Sequence, residues 1–314
     1  MKKKIIFIVC PGRSGSTVFS KFINTHSKVF SLCEPHYFDK KIKEEEEDKY
    51  CSCEKTYTQC NFWKNVISQI EKQTQEIQKF NTSKVAFVNA NKILTIIKYL
   101  NLYFYYWIGF PYMFRNYFYQ IKNEACLLKT ISELKSEEYL VDASKNYVRA
   151  LFLEKYLKNE FSFHYIILMR DPRSNVYSQL KKDALVRFDD QTVKMKRIPK
   201  SNIQAAIKEW KKITINYLNL NKIFNTQADL VLYEDFTQNP KMIFQKLSLN
   251  LAWENQMLNL NSAEHHLLGG NTSRITAKKI FKAKEEWKKF NKSELQLIMK
   301  ETQIVYDKFK KTLS

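Results

Sequence analysis

The stretch Ile5-Ile6-Phe7-Ile8-Val9-Cys10-Pro11-Gly12-Arg13-Ser14-Gly15-Ser16-Thr17 runs from an apolar segment directly into a turn of glycine, serine and threonine. Only five glycines occur in the 314 residues, and four of them fall in this turn and in Gly269-Gly270. Average usage is about seven per cent, so glycine here marks places where no other residue serves. A buried strand, a tight turn and then a helix aim backbone amides at a point where an anion can sit. The stretch therefore predicts an α/β chain that handles a phosphorylated small molecule.

Working outward, four further segments read as strands: Lys28–Leu32, Tyr139–Asp142, Tyr165–Met169 and Asp229–Tyr233, after a first strand over Lys4–Val9. Helical periodicity fills the intervals over Thr17–Thr25, Asn146–Lys158, Pro172–Asp183 and Ile203–Phe224. Alternation of this kind predicts a mostly parallel sheet flanked by helices, with a P-loop-like first turn. Residues 39–64 carry an acidic run, Glu44–Asp48, and a cysteine cluster. Residues about 60–130 read as a helical cap inserted after the second strand. The segment Ala283–Phe309 reads as a closing amphipathic helix, and Trp210 and Trp287 as core. With no repeat and no linker composition, residues 1–314 are expected to form a single domain.

Fifty-two Lys and Arg against 32 Asp and Glu give a formal charge of +20, which favours anionic partners. Met1-Lys2-Lys3-Lys4 before Ile5–Cys10 resembles the start of a signal peptide, but the apolar run is too short and Pro11 interrupts it. A cytoplasmic chain with reduced thiols is the expectation. The uncharged stretch Tyr99–Phe114 is shorter than a spanning helix needs and contains Asn101, Gly109 and Pro111. It is a candidate for peripheral membrane contact or an acceptor surface. Cys51, Cys53 and Cys60, with His36 not far off in sequence, are weighed as zinc ligands. Their spacing matches no standard zinc pattern, so no metal is expected.

Ligands of open α/β sheets sit outside the carboxyl ends of the strands. Those ends carry Arg13, Ser14, Ser16 and Thr17; Glu34 and His36; Asp142 and Lys145; Arg170 and Arg173, with Ser178 farther on; and Tyr233 and Glu234. The first turn is not GxxxxGK[ST], because Ser16 stands where that motif has lysine, and no GxGxxG occurs. An ordinary ATPase and a nicotinamide enzyme are both disfavoured.

The pair PGRSGST at 11–17 and YIILMRDPRSNVYSQLKKD at 165–183 resembles the sulfotransferases that use 3′-phosphoadenosine 5′-phosphosulfate. The first segment is similar to the Arg-containing 5′-phosphosulfate loop of carbohydrate-type and many bacterial members. The likeness continues through Glu34-Pro35, VDASK at 141–145, LYEDFTQNP at 232–240 and GGNTSR at 269–274. It implies a donor held at its 5′ end by Arg13, Ser14, Gly15, Ser16 and Thr17. It implies a 3′-phosphate held by Arg170 and Ser178, closed over by Asn271 and Arg274, with Tyr233 near the adenine. Glu34 is the first candidate for the base that takes the acceptor proton, Asp142 the reserve, and Lys145 a candidate for the bridging oxygen; His36 and His265 stay open. The implied reaction moves a sulfuryl group to a hydroxyl of a carbohydrate or glycolipid, without metal and without a nucleic-acid partner. A non-catalytic nucleotide-binding protein at membranes and an ATP-dependent kinase are the competing readings.

Overall fold

The computed structural model describes residues 2–42, 50–74, 80, 82, 115–181, 183–187, 192–196, 202–224, 228–254, 265–276, 283 and 285–312. The acidic run Glu44–Asp48, the aromatic stretch Tyr99–Phe114 and the middle of the expected helical insertion lie outside them. Strands β1 (Lys4–Val9), β2 (Val29–Cys33), β3 (Tyr139–Lys145), β4 (Ser162–Met169) and β7 (Ala228–Leu232) form one sheet in the order β2-β3-β1-β4-β7. An antiparallel hairpin, β5 (Asp183–Arg187) with β6 (Thr192–Lys196), stands apart from that sheet. The five expected strands are all present. The hairpin was not among the expected strands, because charged residues dilute the strand signal there.

The chain divides into two compact units. The first comprises Met1–Phe7, Ser27–Phe163 and Glu264–Gly269. In it β2 and β3 pair in parallel from Val29 opposite Tyr139, and the register slips between Ser31 and Cys33. Both strands are buried along nearly their whole length, as parallel strands covered on two faces must be. Helices Asn61–Thr74, Arg115–Leu134 and Tyr147–Leu157 cover them; the first two frame the expected insertion. Asn146 caps the helix at Tyr147, its side chain accepting from the Arg149 amide at 3.1 Å. Phe7 stacks on Phe163 with ring centroids 5.9 Å apart.

The second unit comprises Ile8–His26, His164–Ala263 and Gly270–Ser314. Here β4 and β7 pair in parallel without a slip, Tyr165 opposite Ala228 through Met169 opposite Leu232. The helix Ser16–Ile23 turns Phe19 and Phe22 onto Phe236, with centroids 4.9 and 5.1 Å apart. Such pairs contribute about 1 kcal/mol beyond their burial. Helices Pro172–Leu180, Ile203–Phe224 and Lys292–Lys311 share a core of Val176, Ala206, Ile207 and Ile298. The closing helix starts at a capping box between Asn291 and Glu294, later than the sequence indicated. Trp210 is fully buried as expected, whereas Trp287 lies partly exposed on a short 3-10 turn, with the Arg173 guanidinium 3.9 Å from its ring centre. Among the described residues no helix is long and apolar enough to cross a membrane.

Candidate functional site

The turn after β1 is held in a shape that most sequences avoid. Arg13 has φ 65° and Gly15 φ 89°, both in the left-handed region. At Gly15 this is obligatory for a second reason: a Cβ there would overlap the Tyr233 ring, approaching even its Cζ to 2.9 Å. Asn175, on the helix Pro172–Leu180, fixes the turn from the side. Its Nδ2 donates to the Gly12 carbonyl at 2.8 Å and to Ser14 Oγ at 3.2 Å. The helix Ser16–Ile23 begins at Gly15 with no side-chain cap and no acidic residue in its first turn. The amides of a first helical turn have no partner within the helix, and the dipole there is positive. Nothing acidic in that turn competes with an incoming anion.

Arg170, at the carboxyl end of β4, reaches the same turn. Its Nη1 donates to the Arg13 carbonyl at 3.0 Å, and its guanidinium lies 4.9 Å from the Tyr233 ring centre. Its Nε is buried with no hydrogen-bond partner among the described residues. A cation with an unspent buried donor beside a helix start fits an anionic ligand. Next to it, Asp171 caps the helix at Pro172 through the Arg173 amide at 2.8 Å and pairs with the Arg173 guanidinium at 2.5 Å. Glu234 accepts from the Asp171 amide at 3.2 Å. Burial, with the Asp171 carboxylate adding to it, pushes the Glu234 carboxyl up to about 7. Ser178 is partly buried on the same helix, two turns beyond Arg170.

The late glycine segment joins this group. The Asn271 amide donates to Thr17 Oγ1 at 3.0 Å, and Lys21 Nζ donates to the Arg274 carbonyl at 3.2 Å. Arg274 is fully buried, its Nη1 directed at the Gly270 carbonyl at 3.3 Å. From that position it shapes the loop that presents Asn271. Direct contacts thus link Arg13, Ser14, Gly15, Thr17, Arg170, Tyr233, Asn271 and Arg274 within one unit. Sequence reading missed Asn175 as part of the site, although it lies inside a quoted motif; its residue type does not announce a bond to a distant turn.

The other candidates belong to the first unit. The slip between β2 and β3 and a positive φ of 64° at Cys33 swing Glu34 out of the strand. Its backbone amide donates to the Leu268 carbonyl at 2.9 Å, and its buried carboxylate pairs with Lys145, which itself has φ 68°. Glu34 starts the turn at Pro35 without capping it through its side chain. Asp142 is tied elsewhere: Oδ1 accepts from the Ser144 amide at 2.8 Å, and Oδ2 faces Arg149 Nη1 at 2.9 Å. Arg149 also pairs with Glu124, whose carboxyl burial pushes up to about 7. Glu34 and Asp142 are thus each paired with a cation, Lys145 and Arg149 respectively. His36 is held well below the ordinary histidine range by burial, then by the charges of Arg149, Lys145 and Lys40, and its buried Nδ1 has no hydrogen-bond partner among the described residues.

The sulfotransferase family model matches residues 6–255, which include Arg13, Glu34, Lys145, Arg170 and Tyr233 and end before Asn271 and Arg274. No curated protein matches the sequence. Two solved structures share the fold. The sulfotransferase domain from the Synechococcus PCC 7002 olefin synthase is 16% identical with a TM-score of 0.52, over 95% of this chain and 94% of that one. The sulfotransferase domain from the curacin biosynthetic pathway is 19% identical with a TM-score of 0.52, over 96% and 98%.

Proposed function

This chain belongs to the sulfotransferase family, and from that premise we propose that it moves a sulfuryl group from 3′-phosphoadenosine 5′-phosphosulfate to a hydroxyl of a carbohydrate or glycolipid. The observation that carries the donor assignment is the bond from Arg170 to the Arg13 carbonyl, which joins the two elements expected to grip the two phosphates. The loop amides, Arg13, Ser16 and Thr17 take the 5′-phosphosulfate. Arg170 takes the 3′-phosphate with Ser178, and Asn271 completes the pocket from the loop that Arg274 stiffens.

In the reaction the S–O bond to the donor phosphate breaks as an S–O bond to the acceptor forms. Negative charge develops on the departing phosphate, where fixed amides and guanidinium groups stabilise it without reorganising. The hydroxyl proton goes to the Glu34 carboxylate, which Lys145 orients. His36 is a second candidate for the proton, because its buried Nδ1 has no hydrogen-bond partner among the described residues. The charge of +20 supports an acidic acceptor.

Transfer from labelled donor, run against a panel of glycans, glycolipids and small hydroxyl compounds, tests the reading. Sulfation of at least one acceptor is expected. Donor binding with no transfer to any of them would favour a binding protein instead.

A further inference from the structure

Outside the residues assigned above, three cysteines and a histidine converge. The Sγ atoms of Cys51, Cys53 and Cys60 and a ring nitrogen of His266 all lie within 4.8 Å of one another. His266 Nδ1 is 3.3 Å from Cys60 Sγ and 3.9 Å from Cys51 Sγ. Zinc bound at about 2.3 Å by thiolates places tetrahedral sulfur corners about 3.8 Å apart, so a small contraction would close the set around one ion. We propose that Cys51, Cys53, Cys60 and His266 form a structural zinc centre. This inference is independent of the donor and acceptor assignments.

The backbone around the four residues is built to hold them. Tyr50 and Thr56 bridge as a short hairpin, and the Cys51 amide donates to the Lys55 carbonyl at 2.9 Å. Glu54 takes a positive φ of 68°, which lets the chain return so that Cys51 and Cys53 face one side. Cys60 immediately precedes the helix Asn61–Thr74, and its carbonyl accepts from the Lys64 amide at 2.8 Å. The histidine comes from 206 residues farther along the chain than Cys60, and neighbouring aromatic side chains hold it. Phe62 stacks on it at 5.1 Å and 19°, and Trp63 Nε1 donates to its carbonyl at 3.1 Å. Ser52 bridges the two segments, donating to the His265 carbonyl at 2.7 Å and accepting from the Leu267 amide at 2.8 Å.

Three thiolates and one neutral imidazole make a closed, soft ligand set with a net charge of −1 around Zn²⁺. That composition belongs to structural rather than catalytic zinc. Binding releases the thiol protons, and the ion then crosslinks a hairpin to a distant strand-like segment, a gain available only in the folded chain. The segment so held, His265–Gly269, bonds to β2 through Leu268 and to the Glu34 amide. Sequence spacing alone pointed to His36 as the fourth ligand; the fold supplies His266 because Leu268 pairs beside Cys33.

The test is metal analysis of the full chain purified under reducing conditions, followed by exchange into cobalt. One equivalent of zinc per chain is expected, as is a cobalt spectrum with intense tetrahedral bands and sulfur-to-metal charge transfer. His266→Cys should retain one equivalent and shift the cobalt bands, because a fourth thiolate replaces the imidazole, whereas His36→Ala should leave them unchanged. Less than about a tenth of an equivalent of metal, or a disulfide among Cys51, Cys53 and Cys60, would overturn the proposal. So would a cobalt spectrum that responds to His36→Ala and not to His266→Cys.

Discussion

Arg170 Nη1 donates to the carbonyl oxygen of Arg13 at 3.0 Å, although 157 residues separate them in the chain. The bond ties the end of β4 to the turn after β1, so the Arg170 side chain fixes the Arg13 backbone. A substitution at Arg170 therefore loosens the turn as well as removing the ligand proposed for the 3′-phosphate. Arg170→Lys keeps the charge but loses the planar fork that makes one contact to the turn while offering others to a ligand.

Gly15→Ala should be among the most damaging single-atom additions to the chain. It places a Cβ inside the Tyr233 ring and demands a left-handed backbone from an L residue. Together these cost about 2 kcal/mol or more, and donor affinity should fall by at least ~10-fold. Thermal unfolding and donor titration check this. Gly15→Ala combined with Tyr233→Ala should recover part of the stability; an equally unstable double variant would mean that the ring is not the obstacle.

Glu34→Gln should leave donor affinity within about twofold of the parent and lower turnover by ~10²-fold or more, the usual contribution of a positioned base. Lys145→Ala strands the buried Glu34 carboxylate and should lower stability by ~1–3 kcal/mol, less than a fully buried pair because Lys145 is partly exposed. Single-turnover rates with saturating donor separate the roles. If His36→Gln abolishes transfer while Glu34→Gln keeps it, the proton goes to the imidazole.

Stability should fall as pH rises toward neutrality because of Glu234. Burial raises its carboxyl to about 7 in the folded chain, against 4.5 for an ordinary glutamate. Between those two values the folded state therefore binds more protons than the unfolded one. The stabilisation is fully present below the lower value and is lost as pH climbs through the higher. Partial exposure limits the effect to ~1 kcal/mol. Glu234→Gln, which keeps an acceptor for the Asp171 amide, should flatten this part of the profile. Denaturant midpoints from pH 4.5 to 8 measure it, and an unchanged slope in the variant would assign the loss to another group.

The five strands of the sheet were legible in the sequence because β-branched runs ending in polar clusters suit buried parallel strands. Ile203–Phe224 was read to the residue, since its apolar positions recur at helical intervals. The strained turn after β1 was legible because glycine scarcity gave Gly12 and Gly15 their weight. What sequence could not disclose were partners brought in by tertiary contact. Nothing at Asn175 indicates that it brackets the Gly12 turn, and nothing in VDASK indicates that Asp142 pairs with Arg149. His266 is invisible for the same reason: its partners lie more than 200 residues earlier. Trp287 was misassigned because large aromatics usually go inside, yet a stacked guanidinium is an alternative to burial.

Isothermal calorimetry with 3′-phosphoadenosine 5′-phosphate and with ADP, on the parent chain and on Arg170→Ala, tests the central claim most directly. Binding of the 3′-phosphorylated nucleotide at least ~10-fold tighter than ADP is predicted, with that preference lost in Arg170→Ala while weak ADP binding persists. Equal affinity for the two nucleotides, or an undiminished preference in Arg170→Ala, would contradict it.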